Sequence, residues 1–227
     1  MIELHEVSKI FNKGRPNEFT ALSGICLSIK DKDLVILNGS SGSGKTTMLS
    51  LIGCMARPSQ GRIFLREQEI TSLPERFLSV LRQKHFGFIF QRLHLIKGMS
   101  VLENVMIPAY PTGLPYNVLK TRATEILQRF DMQNRSQEKV ENLSGGQQQR
   151  VVIARALIND PDVIIADEPT AHLDAHLSRE FMETMRILKQ KGKTIIIASH
   201  DPLVSESSLA DRIIHLKNGI MTRDEMF

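Results

Sequence analysis

The chain has 227 residues, which at about 150 residues per domain makes one large domain or one domain with an insertion. Apolar residues are 41% and charged residues 24%, a balance that excludes a disordered chain. The net charge of +4 is small and dispersed, so no nucleic-acid partner is expected, and no apolar run approaches the roughly 20 residues of a membrane span.

Met1-Ile2-Glu3-Leu4-His5-Glu6 is charged and lacks the apolar core of a leader, so no signal peptide is expected. The N-terminal stretch has β character. Ile25, Leu27 and Ile29 alternate with Cys26 and Ser28, the period of a half-buried strand. Cys26 and Cys54 lie among apolar neighbours without metal-like spacing and are expected as reduced core residues. The run Asp33-Leu34-Val35-Ile36-Leu37 suits a strand buried on both faces.

That strand leads into Gly39-Ser40-Ser41-Gly42-Ser43-Gly44-Lys45-Thr46-Thr47, and a helix-like stretch runs from Lys45 to about Met55. The pattern is G-x-x-x-x-G-K-[ST] between strand and helix. Glycine permits a tight turn whose N–H groups converge on phosphate oxygens, and the helix start adds partial positive charge. Lys45 is placed for β- and γ-phosphates and the Thr46 hydroxyl for Mg²⁺. A plain Ser/Gly loop would match the pattern by chance about once in a hundred chains of this length. The glycine spacing does not supply the dinucleotide pattern G-x-G-x-x-G.

Arg57–Gly61 reads as a turn and Arg62–Leu65 as a short strand. Residues from about 92 to 160 hold helix patterns and little β signal. Pro108, Pro111, Gly113 and Pro115 form a loop there, and Asn117–Phe130 sets Val118, Ala123, Ile126, Leu127 and Phe130 on one helix face. Leu143-Ser144-Gly145-Gly146-Gln147 opens a further helix through about Ile158, with Ser144 as N-cap. Its paired glycines leave backbone N–H groups bare, a second anion site that one nucleotide on one chain does not need. An ordinary capped helix is the plain alternative.

The α/β alternation then resumes. Val163–Ala166 is a buried strand ending in Asp167 and Glu168, where ligands of open α/β sheets sit. Asp167 suits support of Mg²⁺, and Glu168 suits polarising an attacking water. Ala175–Lys189 reads as helix and Thr194–Ala198 as a buried strand, followed by His200. Arg212–Leu216 and Ile220–Arg223 read as a hairpin around Lys217-Asn218-Gly219. Buried strands separated by helices argue for a parallel sheet covered on both faces.

In order and spacing, these segments resemble the nucleotide-binding subunit of ATP-binding cassette (ABC) transporters over nearly the whole length. The resemblance rests on the phosphate loop, Phe90-Gln91, Leu143–Gln147, the acidic strand Val163–Glu168, Ala171–Asp174 and His200. It implies an α/β P-loop NTPase: an ABC ATPase core with a mainly parallel sheet, an N-terminal antiparallel β subdomain and an inserted α-helical subdomain. The core would span about 1–91 and 160–227, and the helical subdomain about 92–159, of a single domain over 1–227. The implied cofactors are ATP and Mg²⁺. Phe11 takes the place of the aromatic that stacks on adenine. Gln91 is implied as Mg²⁺ ligand and γ-phosphate sensor, and His200 as the group that contacts the γ-phosphate and positions water. Two copies would form an ATP-dependent homodimer, head to tail, each ATP lying between one phosphate loop and the other copy's Ser144, Gly145, Gly146 and Gln147. Asp174 would serve that cross-dimer contact.

The resemblance also implies separate integral membrane permease subunits docking near Gln91–Asn104, and a place in the cytoplasm on the inner face of the membrane. Phe86–Gln91, Glu103-Asn104-Val105 and Gln147–Val151 are similar to the subgroup of lipoprotein-release, macrolide-export and cell-division ATPases. That subgroup transmits mechanical work as often as it moves a solute. One departure stands out: Ala171-His172 precede Leu173-Asp174, where the family usually has Ser or Gly and then a small residue. The lost hydroxyl and bulky His172 would alter the cross-dimer contacts. His172 and His176 are four apart without a carboxylate or Cys cluster, so no metal site is expected there. Two other classes stay open. A soluble ABC ATPase would usually carry two cassettes or a long coiled coil, and a P-loop small-molecule kinase would not need the 143–147 segment or the Gln91/His200 pair.

Overall fold

The computed structural model describes residues 1–171 and 173–227. In chain order it begins with β1 (Ile2–Phe11), β2 (Phe19–Ile29), β3 (Leu34–Asn38), α1 (Lys45–Ile52), β4 (Gln60–Leu65), β5 (Gln68–Glu69), α2 (Glu75–His85) and β6 (Phe86–Ile89). Three helices follow, α3 (Val101–Met106), α4 (Tyr116–Arg129) and α5 (Gly145–Leu157), with short 3-10 turns between them. The chain then alternates through β7 (Val163–Asp167), α6 (Ala175–Gln190), β8 (Thr194–Ala198), α7 (Pro202–Ser205), β9 (Arg212–Lys217) and β10 (Ile220–Met226).

Two sheets divide the strands. The first is antiparallel, in the order β2-β1-β4-β5. The second runs β10-β9-β3-β8-β7-β6 and is parallel except for its edge strand β10. The apolar runs of β3, β7 and β8 fill both faces of this sheet, as a parallel sheet requires. Val35, Leu37, Ile165 and Ile196 join a core shared with the antiparallel sheet and with Met48, Leu51 and Ile52 of α1. Leu34, Ile36, Ile164, Ile195 and Ile197 face the other way, onto Phe181, Met182 and Met185 of α6 and Val152, Ile153 and Ala156 of α5.

A third core belongs to the helices between β6 and β7. Val101, Val105, Met106, Leu119, Ala123 and Leu127 close on Val151, Ala154 and Ile158. Helix α5 therefore buries two faces, one on the sheet and one on its helical neighbours.

The structure corrects several sequence expectations. Val118 is exposed, and Leu119 takes the buried place on α4. Cys26 is exposed; it points away from the core as its alternation with Ile25 and Leu27 dictates, while Cys54 is buried as expected. Helix α1 stops at Ile52, short of Met55, and β10 runs on to Met226. The strand β6 lies in a stretch that carried no strand reading; its Gly87 lies against the Ala156 carbonyl, where an added Cβ would stand 2.4 Å away.

Candidate functional site

Parallel strands bring their carboxyl ends to one edge of the sheet. Leu37 and Asp167 both lie in register with Ala198, so the loops after β3, β7 and β8 meet above that edge. The loop after β3 is the glycine-rich turn. Gly44 caps α1 with φ of 107°, and a Cβ there would stand 2.8 Å from both the Ala21 carbonyl and the Leu22 side chain. Only glycine meets both conditions. The loop is tied to the β9–β10 turn, where the Gly219 N–H donates to the Ser43 carbonyl at 3.0 Å.

A cavity of about 270 Å³ opens over this loop, lined by Phe19, Ala21, Ser41–Thr47, Gln91, Glu168 and His200. The residues predicted for phosphate and water chemistry thus converge from three strand ends and the segment after β6. Lys45 is only 6% exposed, and its ammonium donates to the Gly39 carbonyl at 2.6 Å and the Ser40 carbonyl at 3.2 Å. Its Nζ also stands 3.2 Å from Glu168 Oε1. The other carboxylate oxygen, Oε2, is 2.9 Å from His200 Nδ1. Glu168 has φ of 45°, and its N–H is held by the Ala198 carbonyl at 2.8 Å. A left-handed glutamate is strained backbone, kept here by that strand-end bond and by the Lys45 and His200 side chains that flank its carboxylate.

Asp167 lies one residue back. Its Oδ1 accepts the Thr46 hydroxyl at 3.2 Å. Burial pushes its carboxyl above the usual aspartate range, against the pull of that hydroxyl.

The segment Ser144–Gln147 does not line this cavity. Ser144 Oγ accepts the Gln147 N–H at 3.4 Å, and Gln147 Oε1 accepts the Ser144 N–H at 3.0 Å, a reciprocal capping box. Gly146 packs on Leu177 of α6, where a Cβ would meet the leucine methyl at 2.7 Å, whereas Gly145 faces open space. Asp174 serves its own chain: its Oδ1 accepts the His176 and Leu177 N–H groups at 2.9 Å each and caps α6. His172 of the predicted departure lies outside the described residues.

Gln91 stands between two cavities. It also lines a second groove of about 470 Å³ with Gly145, Gln148, Gln149, Pro169 and Leu173. Phe11 and Phe19 face each other across β1 and β2, but Phe19 lines the phosphate-loop cavity and Phe11 does not; Lys9 lies over the Phe11 ring. The sequence reading missed Phe19, Thr170, Asp201 and Gln149. Thr170 donates to Asp201 at 2.8 Å, joining the segment after Glu168 to the turn after His200. Gln149, buried in α5, donates to the Pro169 carbonyl at 3.3 Å. The signal for Phe19 was its place opposite Phe11 in a hairpin, which needs the register to be known.

A family model described as ABC transporter matches residues 22–171. The chain is 40% identical over 226 residues to the macrolide export ATP-binding/permease protein MacB of Vibrio parahaemolyticus, covering 100% of this chain and 34% of that protein. It is 43% identical to the protein of the same name from Rhodopseudomonas palustris, covering 99% of this chain and 34% of that one. The chain thus spans about a third of the length of the curated relatives it matches. Among solved structures, it resembles the dimeric structure of MJ0796, a bacterial ABC transporter cassette, with a TM-score of 0.90, 36% identity and coverage of 100% of this chain and 98% of that one. A post-hydrolysis state of the same cassette, bound to ADP and Pi, matches equally well. The model match across 150 of the 227 residues and the superposition over the whole chain establish that this protein belongs to the ABC transporter family.

Proposed function

We propose that this chain binds and hydrolyses ATP as the cassette of an ABC transporter, a single domain over 1–227 with its helical part over about 92–159. The observation that carries the reading is the Glu168 carboxylate, held between Lys45 and His200 over the phosphate loop. The loop amides and Lys45 bind the β- and γ-phosphates. Glu168 takes a proton from water as the water oxygen attacks the γ-phosphorus; the bond to the β–γ bridging oxygen breaks, and ADP and phosphate leave. His200, 64% exposed at its side chain, orients that water and the γ-phosphate. Phe19, with Phe11 beside it, offers an aromatic face to the base.

The residues fit Mg²⁺. A hydroxyl, a carboxylate and an amide oxygen from Thr46, Asp167 and Gln91 make a hard oxygen donor set, and Thr46 and Asp167 already touch. When bound, Mg²⁺ supplies charge neutralisation at the phosphate oxygens.

Ser144, Gly145, Gly146 and Gln147 stand outside their own cavity, so in this reading they complete the site of a second copy, in a head-to-tail homodimer formed on ATP. Among the described residues, no helix is long and apolar enough to cross a membrane. The chain then energises a permease portion that docks near Gln91–Asn104, where Ile96 is exposed, from the cytoplasmic face of the membrane. The relatives' printed names, macrolide export proteins, point to an export task.

Glu168→Gln keeps size and polarity and removes the base. It should lower kcat by about 10²–10⁴-fold, retain ATP binding, and elute as a dimer in ATP while the wild type stays mostly monomeric. Wild-type turnover by a monomeric Glu168→Gln protein would transfer the role to His200 and withdraw this assignment.

A further inference from the structure

A cavity of about 690 Å³, larger than either described above, shares no lining residue with the phosphate-loop cavity. Helix α4 and the second half of α6 wall it, and the end of α5 with the turn after it closes the floor. That turn leads into β7, and Lys191 and Lys193 lead from α6 into β8. The cavity therefore lies at the edge of the sheet where these parallel strands begin, and the phosphate loop at the edge where they end. The five residues of β8 span about 16 Å between the two edges. The lining combines two chemistries. Ile126, Phe130, Leu157, Ile158, Ile187 and Leu188 form an apolar surface, on which Ile187 stays 40% exposed. Beside them stand Arg122, Arg129, Lys191 and Lys193, against Glu125 and Asp160. Asp160 is already taken, since its Oδ1 holds Lys193 Nζ at 2.6 Å. Arg122 makes one long bond, to the Ile158 carbonyl at 3.4 Å. Among the described residues, Arg122, Arg129 and Lys191 stand in no ion pair, and Glu125 offsets at most one of them.

We propose that this cavity binds an anionic amphiphile, a small molecule with one apolar body and one carboxylate or phosphate head. Its volume falls in the range of about 300–1,000 Å³ that holds small ligands. The apolar surface takes the body out of water. The unpaired cations receive the head through charge-assisted hydrogen bonds, with the arginines offering a planar fork. A neutral apolar molecule would leave those cations unused, and a bare anion would leave the apolar surface wet. A second hollow of about 220 Å³ continues past Arg129, Phe130 and Thr184, which gives room for a longer body. Its carboxylates, Asp131, Glu180 and Glu183, repel an anion and so keep the head at the Arg122–Lys191 end. The bound molecule would bridge α4, of the helices between β6 and β7, to α6, which packs on the sheet. The inference is independent of the ATP chemistry proposed above.

The test titrates the chain by calorimetry with dodecanoate, dodecyl phosphate and dodecanol, each below its aggregation threshold, and locates binding by amide hydrogen exchange. The two anions should bind one per chain, about tenfold or more tighter than dodecanol, and should slow exchange within 122–130 and 184–193. Arg129→Glu with Lys191→Glu reverses two exposed charges, so the double variant should melt close to wild type. It should weaken dodecanoate about tenfold or more and leave dodecanol within about twofold. Lys191→Gln removes one charge and adds none, and should weaken dodecanoate about threefold; it serves as the reading if the double variant is unfolded. Absence of dodecanoate binding, equal binding of dodecanol, unchanged dodecanoate affinity in the folded variants, or protection confined to other segments each overturns the proposal. Phosphatidylglycerol vesicles, which keep their acyl chains in the bilayer, should not protect 122–130 and 184–193. Protection by vesicles without protection by dodecanoate would make this face a membrane contact and overturn the small-molecule site.

Discussion

Asp167 shows how the site is built against its own stability. Its pKa is raised by burial, so the fold holds a proton on it more readily than the unfolded chain does. The stability it contributes is present below the unfolded value and lost as pH rises through the folded one. At neutral pH the charged group therefore destabilises the protein, offset in the proposed function by an oxygen offered to Mg²⁺. Asp167→Asn, which can still accept the Thr46 hydroxyl, should therefore raise the nucleotide-free melting temperature at pH 7. Each 1 kcal/mol would appear as about 2–4 °C in a chain of this size. The gain should shrink as pH falls toward the acid range, while Mg²⁺-dependent ATP affinity weakens. Melting curves across pH check this, and a lower melting temperature for the Asn variant at pH 7 would show that the hydroxyl bond outweighs burial. Legibility at this scale was uneven. Asp167, Glu168 and His200 were read as ends of buried strands, and their convergence follows from parallel pairing. Cys26 departs from the expected core position because the period of two that buries Ile25 and Leu27 turns it outward, whatever its apolar neighbours in sequence. Its thiol sits in solvent, bonded to Glu6 Oε1 at 2.9 Å and pushed up in pKa by that bond.

At the scale of elements, the segment at the start of α5 has two duties that mutagenesis can separate. Ser144 closes a capping box on its own helix, and in the proposed dimer it also faces a phosphate. Ser144→Ala should cost about 1 kcal/mol from the lost cap and reduce ATPase activity as well. Ser144→Asp keeps a good cap but sets a negative charge toward the phosphate. Its melting temperature should stay near wild type while activity drops below that of the Ala variant. Equal activities for Asp and Ala would mean that Ser144 acts only as a cap. Elements were legible where one period ruled: β8 and the cap of α5 fell where their patterns placed them. The edge strand β6 escaped notice because Phe86–Ile89 is four residues long, carries a glycine and follows directly on α2, so no turn marks its start. On α4, a one-residue error in the apolar face exchanged Leu119 for Val118, since both are apolar and adjacent.

For the whole molecule, the decisive arrangement is that the Ser144–Gln147 set and the phosphate loop never meet within one chain. Specific ATPase activity should then rise with protein concentration across the nanomolar to micromolar range, and ATP dependence should be cooperative. Constant specific activity on dilution would show that one copy suffices. The pairing of β3 bears on how such a chain comes to exist. Leu34 lies in register with Ile195, and Val35 with Arg212, so β3's neighbours in the sheet are synthesised about 160 residues after it. At about 5–20 residues per second, the ribosome leaves that apolar strand without its sheet partners for roughly 10–30 s. During that interval the nascent chain carries an adhesive segment in its N-terminal fifth. Such a chain calls for a holding chaperone or for crowding low enough that two nascent copies do not find each other first.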